Sequence, residues 1–284
     1  MTIQLVAFDL DGTLMGEDLK ICAPVRAAIA EAQAHGIIIT LATGRLFAST
    51  LPFAKILGIK APLICYQGGW IQAPGDTEPR HRESLPDAIT RSVLALAEAY
   101  GWHTVFYADG HPFIRETPYD IDFYDALLGE STVEETWDAV LDRHTPDKIL
   151  FVAQPDEIPP IAQKLRQHLD GKADVVQSHA HFIEVVPKDV SKAKALAWLA
   201  NDLGIPREAV MAVGDQENDL AMVRWAGIGV AMGNAISQVQ RAAHWIAPPL
   251  EQDGAVVALE RFVLKGKGSS DSSGFGEGAG EANE

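Results

Sequence analysis

Short apolar runs alternate with helical patterns at both ends of this chain, and that alternation restricts it to an α/β architecture. Near the start, strand-like runs at 4–9, 37–42 and 63–66 are separated by helical patterns over 24–35 and 46–57. Parallel neighbours need such crossovers, and strands buried on both faces read as unbroken apolar runs. The same texture returns late in the chain, with a helix over 192–203, a strand at 210–213, a helix at 218–225, a strand at 228–230 and helices at 235–243 and 254–264. The two ends together predict one Rossmann-like, doubly wound parallel sheet covered by helices on both faces.

The middle has a different pattern. A helix over 86–100 leads to strands at 103–107 and 112–115, and later come a strand at 148–153, a helix at 158–169 and strands at 174–177 and 182–186. Adjacent strands without a helix between them read as antiparallel. Residues 83–186 are therefore expected to form an inserted α+β cap domain, with 1–82 and 187–265 as the core. The Gly/Ser/acid-rich stretch 266–284 has too little apolar surface to offset the entropy of ordering and is expected to be a disordered tail.

Composition excludes several partners. With 23 basic and 39 acidic side chains the formal charge is −16, which argues against nucleic acid or an anionic membrane as a bulk partner. No run reaches the roughly 18 apolar residues of a membrane span, and the first residues lack the basic start and apolar core of a secretory signal. Cys22 and Cys65 are the only cysteines, expected as free thiols in a reducing, cytoplasmic setting.

In open sheets of this kind ligands bind beyond the carboxyl ends of the strands. Four segments that such a sheet brings to that edge carry chemistry here. The run Leu5-Val6-Ala7-Phe8 ends in Asp9-Leu10-Asp11-Gly12-Thr13, and an ionised carboxylate there is costly unless a cation or strong donors meet it. Extending the two-residue strand period would aim Asp9 and Asp11 at one site; the plain alternative is a turn, which Asp and Gly favour. Gly214-Asp215-Gln216-Glu217-Asn218-Asp219 crowds three acids, which either cap a helix or share a cation. One hard ion such as Mg2+ between the two acidic strand ends explains both clusters. Thr43-Gly44-Arg45 reads either as a helix N-cap or as an anion site. Lys192 opposes the macrodipole at a helix start and is either met by an anion or solvated beside the capping Ser191. Jointly, Asp9, Asp11 and Asp215 facing Thr43 and Lys192 outline a pocket for a metal-bound phosphoryl group.

These segments resemble, in order and spacing, the four motifs of the haloacid dehalogenase superfamily, and the insertion followed by "FIEVVPKDVSKAKAL" is similar to its Cof-type branch of sugar-phosphate phosphatases. The resemblance implies a Mg2+-dependent phosphoric monoester hydrolase acting on small phosphorylated metabolites, hexose phosphates foremost. By that resemblance Asp9 is the nucleophile that becomes an aspartyl-phosphate, and Asp11 protonates the leaving oxygen and then activates water. It also implies metal ligands from Asp9, Asp215 and the backbone carbonyl of Asp11. The Leu10 N–H, Thr43, the Gly44 N–H, Lys192 and Asn218 would hold phosphate, with Asp219 and Arg45 in support. Cation-pumping ATPases of similar motif carry Thr at the position of Asp11, so its presence implies turnover.

Phosphatases for mannosylglycerate, glucosylglycerate or sucrose phosphates share these motifs. A phosphomutase and, in a different class, a phospho-accepting signalling module with Asp, Mg2+, Thr and Lys are the alternatives. Two departures stand out: "YQGGW" at 66–70 replaces the branch's Asn-Gly-Ala stretch, and Ala193 replaces the common Gly after the lysine. His179 and His181 are expected as solvated hairpin residues rather than a metal pair or substrate ligands. Trp102, Tyr107 and Trp137 are either core of the insertion or sugar-stacking residues, and core is the expectation.

Overall fold

The computed structural model describes residues 2–115, 132–133 and 136–264. Three sheets are present among them. In chain order the strands are β1 Leu5–Phe8, β2 Ile38–Leu41, β3 Leu63–Cys65, β4 Trp70–Gln72, β5 His81–Arg82, β6 His103–Ala108, β7 His111–Ile114, β8 Thr132–Val133, β9 Pro146–Val152, β10 Ala173–His179, β11 Phe182–Pro187, β12 Val210–Gly214, β13 Ile228–Ala231 and β14 Trp245–Ile246. Strands β14-β13-β12-β1-β2 form a wholly parallel sheet. The doubly wound α/β fold expected from the alternating ends is the observed one. The chain leaves β1 toward β2 on one side and returns to β12 on the other, so the switch in strand order lies between β1 and β12.

Burial explains why β1 reads as an unbroken apolar run. Leu5, Val6, Ala7 and Phe8 are all fully buried, with Val6 and Phe8 in one apolar cluster and Leu5 and Ala7 in another. Helices Ala23–Ala34 and Gly254–Leu259 pack on the first face, and Lys192–Asp202 and Leu220–Trp225 on the second.

The run at 63–66 departs from the expected parallel order. It touches β2 through a single parallel bridge, Ala42 with Ile64, and otherwise pairs antiparallel with β4. The cause is the turn that follows: Tyr66, Gln67 and Gly68 have φ of 50°, 58° and 109°, which reverses the chain at once into β4. Strands β4 and β5 were absent from the sequence reading, as were β8, β14 and the short helix Trp137–Leu141.

The middle of the chain builds a six-stranded sheet in the order β10-β11-β9-β6-β7-β8, antiparallel except for β7 with β8. Its strand period divides the side chains cleanly. Phe106, Ile149, Phe151, Ile183 and Val185 pack with helices Asp87–Tyr100 and Ile158–Leu169. Val105, Tyr107, Leu150, Val152 and Phe182, one residue out of phase, join the cluster that also contains Phe8 and Met211. One face thus makes a local core and the other joins the apolar cluster that also holds the first face of the parallel sheet. The expected boundary between 186 and 187 cuts the end of β11, while that between 82 and 83 follows β5. The expected tail, 266–284, lies outside the described residues.

Trp137 packs in the local core as expected, and Trp102 stands edge-on to Phe151 at 5.6 Å. Phe151 is fully buried there, so Phe151→Ala should cost about 3–5 kcal/mol. A urea unfolding curve checks this, the expected outcome being a lower midpoint.

Candidate active site

Register brings the acidic segments together. Phe8 pairs with Val213 on one side and with Leu41 on the other, so β1, β12 and β2 end at one edge. The Asp9 N–H donates to the Val213 carbonyl at 2.9 Å, and the Ala42 N–H to the Phe8 carbonyl at 2.8 Å. Asp9, Asp215 and Thr43 therefore leave adjacent strands side by side.

Lys192 arrives from behind. It is the first residue of its helix, Ser191 caps that helix by accepting from the Lys194 N–H at 3.2 Å, and the lysine is 1% exposed. Its Nζ donates to Asp9 Oδ1 at 2.5 Å and to Asp219 Oδ1 at 2.7 Å. The macrodipole cost of a lysine at a helix start is offset by two carboxylates, and the solvated alternative is excluded. Burial acts to lower its pKa, but the Asp219 and Asp9 charges outweigh burial and raise it.

Asp219 ties the acidic loop together: its Oδ2 accepts from the N–H groups of Asp215 at 2.9 Å and Gln216 at 3.0 Å. Asp215 accepts from Thr13 Oγ1 and from Gln216 Nε2, each at 3.1 Å. Gly12 lies against it at φ 80°, where an added Cβ would come within 2.4 Å of Asp215 Oδ2. Both the backbone angle and the close approach require glycine.

Burial, with the Asp219 charge second, raises the Asp9 carboxyl well above its usual value and pushes Asp215 up to about 7. Asp9, Asp215 and Asp219 each offer an oxygen within 4.8 Å of the others. Opposite oxygens around an octahedral Mg2+ stand roughly 4.2 Å apart, so this all-oxygen group fits a hard divalent ion in size and charge. Asp219 already spends its oxygens on Lys192 and two N–H groups, which makes Asp9 and Asp215 the freer donors.

The Asp11 carboxylate is elsewhere. Arg45 grips it through Nε at 2.8 Å and Nη2 at 2.6 Å, with the guanidinium 3% and the carboxylate 45% exposed. The period that would align it with Asp9 fails because β1 stops at Phe8. Thr43 is not a helix N-cap either: the helix begins at Phe47, and Thr43 Oγ1 accepts from the Arg45 N–H at 3.2 Å. Leu10 is fully buried, its carbonyl accepting from the Leu14 and Met15 N–H groups. Asn218 Nδ2 donates to Gln67 Oε1 at 3.0 Å, and its Oδ1 is buried without a partner.

Asp9, Asp11, Thr43, Gly44, Arg45, Asp215 and Asn218 line one cavity of about 320 Å³, with Lys192 and Asp219 behind its floor. The opposite wall comes from the six-stranded sheet: Tyr107, Lys148, Leu150, Ser178, Phe182 and Glu184. Tyr107, expected in the core in preference to a sugar-stacking role, also lines the cavity. His179 lines the cavity too, stacked on His181 at 5.6 Å, so the expectation of a solvated hairpin residue is corrected. Burial and then the neighbouring His181 lower its pKa. The sequence reading missed Lys148 and Glu184, which line the cavity, and Gln67, which bonds to Glu184, although charges within the strand patterns of β9 and β11 were a signal.

A family profile for haloacid dehalogenase-like hydrolases matches residues 6–259. The chain belongs to that family. A Bacillus subtilis 5-amino-6-(5-phospho-D-ribitylamino)uracil phosphatase is 28% identical over 266 residues, covering 91% of this chain and 97% of that protein. A Yersinia pseudotuberculosis HMP-PP phosphatase is 29% identical over 243 residues, covering 84% and 86%. The crystal structure of a haloacid dehalogenase-like hydrolase from Bacteroides thetaiotaomicron superposes with a TM-score of 0.80 at 31% identity, covering 92% of this chain and 99% of that one. Relatives of this family that are phosphatases along their whole length agree with the phosphoric monoester hydrolase implied by the motifs.

The acid trio generates a pH prediction. The folded Asp215 pKa lies above its ordinary value of 3.8, so between about 4 and 7 the folded state binds more protons than the unfolded one. Its contribution is therefore fully favourable at low pH and is lost as pH rises through that window. Asp215→Asn should lessen the fall in stability between pH 4.5 and 7.5, read by urea unfolding in metal-free buffer.

Proposed function

We propose that this chain is a Mg2+-dependent phosphatase that releases phosphate from small phosphorylated metabolites, sugar phosphates foremost, through an aspartyl-phosphate on Asp9. The observation that carries the reading is the buried Lys192, which holds Asp9 and Asp219 together at a cavity also lined by Thr43 and Asp215. In this reading Asp9 and Asp215, with the backbone carbonyl of Asp11, hold Mg2+. The ion supplies positive charge where the phosphoryl oxygens gather it.

Lys192 fixes one oxygen of Asp9, which leaves the carboxylate oriented for attack on phosphorus. The Asp9–phosphorus bond forms as the bond to the leaving oxygen breaks, and Asp11 gives that oxygen its proton. Asp11 then takes a proton from water, whose oxygen attacks phosphorus and frees Asp9. The carboxylate of Asp11 is the exposed partner of its pair with Arg45, so it is the one able to swing toward the leaving group. Arg45, released, turns its guanidinium to phosphate. Thr43, Lys192, Asn218 and the N–H groups of Leu10 and Gly44 complete the phosphate contacts.

Residues 83–186 act as a cap that shields the transfer from water and selects the leaving group through its cavity wall. A phosphorylated small molecule is also the substrate type of the Bacillus and Yersinia relatives. No helix among the described residues is long and apolar enough to cross a membrane. Two free thiols, one buried and one exposed, fit a reducing cytoplasm.

Phosphate release measured over a panel of sugar phosphates should show turnover in the wild type. Asp9→Asn should lower it on the order of 10³-fold or more. EDTA should abolish turnover and added Mg2+ restore it; equal rates in wild type and Asp9→Asn refute the mechanism.

A further inference from the structure

The six-stranded sheet meets the cavity through a buried ion pair that the proposed chemistry leaves unused. Lys148 on β9 and Glu184 on β11 lie diagonally across neighbouring strands, Glu184 standing opposite Leu150. They are 3% and 2% exposed. Two charges taken from water are tolerated only when their donors and lone pairs are met. Here they are met, in part by groups outside the sheet. Lys148 Nζ donates to Glu184 Oε2 and to the Gly44 carbonyl, each at 2.7 Å. Glu184 Oε1 accepts from Gln67 Nε2 at 2.9 Å and from the Ser178 hydroxyl.

This chain of bonds has a direction. An ionised carboxylate only accepts, so Gln67 must turn its nitrogen to Glu184 and its oxygen to Asn218. Asn218 must then donate, which it does at 3.0 Å, leaving its own oxygen buried and unpartnered. Both ends of the chain of bonds lie in loops assigned to phosphate, at Gly44 and at Asn218. The fit is tight: a Cβ on Gly44 would come within 2.3 Å of Gln67 Nε2 and 3.3 Å of Glu184 Oε1. Gln67 itself sits at φ 58° beside Tyr66 at φ 50°, a backbone state that costs free energy in each and persists where the surroundings hold it.

Resting on the phosphatase reading for its consequence, we propose that Glu184, with Lys148 and through Gln67, is a positioning device that aligns the Gly44 and Asn218 loops when the six-stranded sheet is seated. The relay distinguishes itself from a leaving-group contact because it acts on phosphate itself. It distinguishes itself from plain packing because it depends on which atoms donate.

The test uses the full chain with Mg2+ present. Glu184→Gln keeps shape but removes the direction, since an amide both donates and accepts; Gln67→Met keeps bulk and removes both bonds. Inorganic phosphate affinity is measured by calorimetry, and kcat and KM with acetyl phosphate, whose leaving group has two carbons, and with a hexose phosphate. Each variant is expected to weaken phosphate binding and lower kcat roughly 10- to 100-fold, equally for both substrates. The double variant is expected to be no worse than either single. A lowered unfolding temperature with unchanged phosphate affinity and kcat overturns the relay, and so does a rise in KM confined to the hexose phosphate. If wild type and Asp9→Asn turn over equally, the phosphatase reading fails while phosphate affinity still decides the relay. A wild type that binds no phosphate overturns both.

Discussion

The buried ammonium of Lys192 is the charge on which the acidic strand ends depend. Asp9, Asp215 and Asp219 are each at most 5% exposed. Three carboxylates so placed repel one another in a medium that screens poorly, and among the described residues one lysine, bonded to two of them, is the counter-charge in direct hydrogen bond. The balance is incomplete: one positive charge faces three negative. Burial first and the Asp219 charge second raise the Asp215 carboxyl to about 7, and an ion of hard character suits the same oxygens. Fold and chemistry meet at this point, because parallel register brings Asp9 and Asp215 side by side, and the charge gathered there suits an added cation.

The second constraint is the two-residue period of the six-stranded sheet. Alternate residues of β6, β9 and β11 serve a local core, and the residues between them face the parallel sheet. A sheet with one polar, solvated face would leave the cavity open; this one closes it with Tyr107, Leu150 and Phe182. The apolar side chains that seat the sheet also line the place where phosphoryl transfer is proposed, so in that proposal the same side chains would serve both stability and exclusion of water.

Much of this was legible in the sequence, for a physical reason. Strands buried on both faces announce themselves as apolar runs, and β1, β2, β12 and β13 were found within a residue or two at each end. The charges at their ends were legible for the same reason, since carboxylates there demand a partner. What was missed follows short-range geometry. Strands β4 and β5 span three and two residues around a Gly/Pro-rich stretch, too short for a period to register. The reversal that pulls β3 out of the parallel order depends on left-handed Tyr66 and Gln67, a conformation that their side chains do not advertise. Asp11 was placed by extending a strand that had already ended, and the pairing with Arg45 followed from a turn rather than a period.

Lys148 and Glu184 satisfy the test that singled out Asp9. Glu184 is the lone charge of Phe182–Pro187, Lys148 follows Asp147 and precedes the apolar run Ile149–Val152, and every residue of both strands is buried. In a strand with one wet face such a charge marks the outside. In a strand covered on both faces no outside exists, and the charge requires a buried partner of opposite sign or strong donors. The second case applies to β9 and β11, whose residues are buried on both faces. The distinction lies in the neighbour that covers the face, which no single strand encodes. It is carried instead by Gly44, Gln67 and Asn218, whose backbone and amides complete the bonding of the Lys148–Glu184 pair.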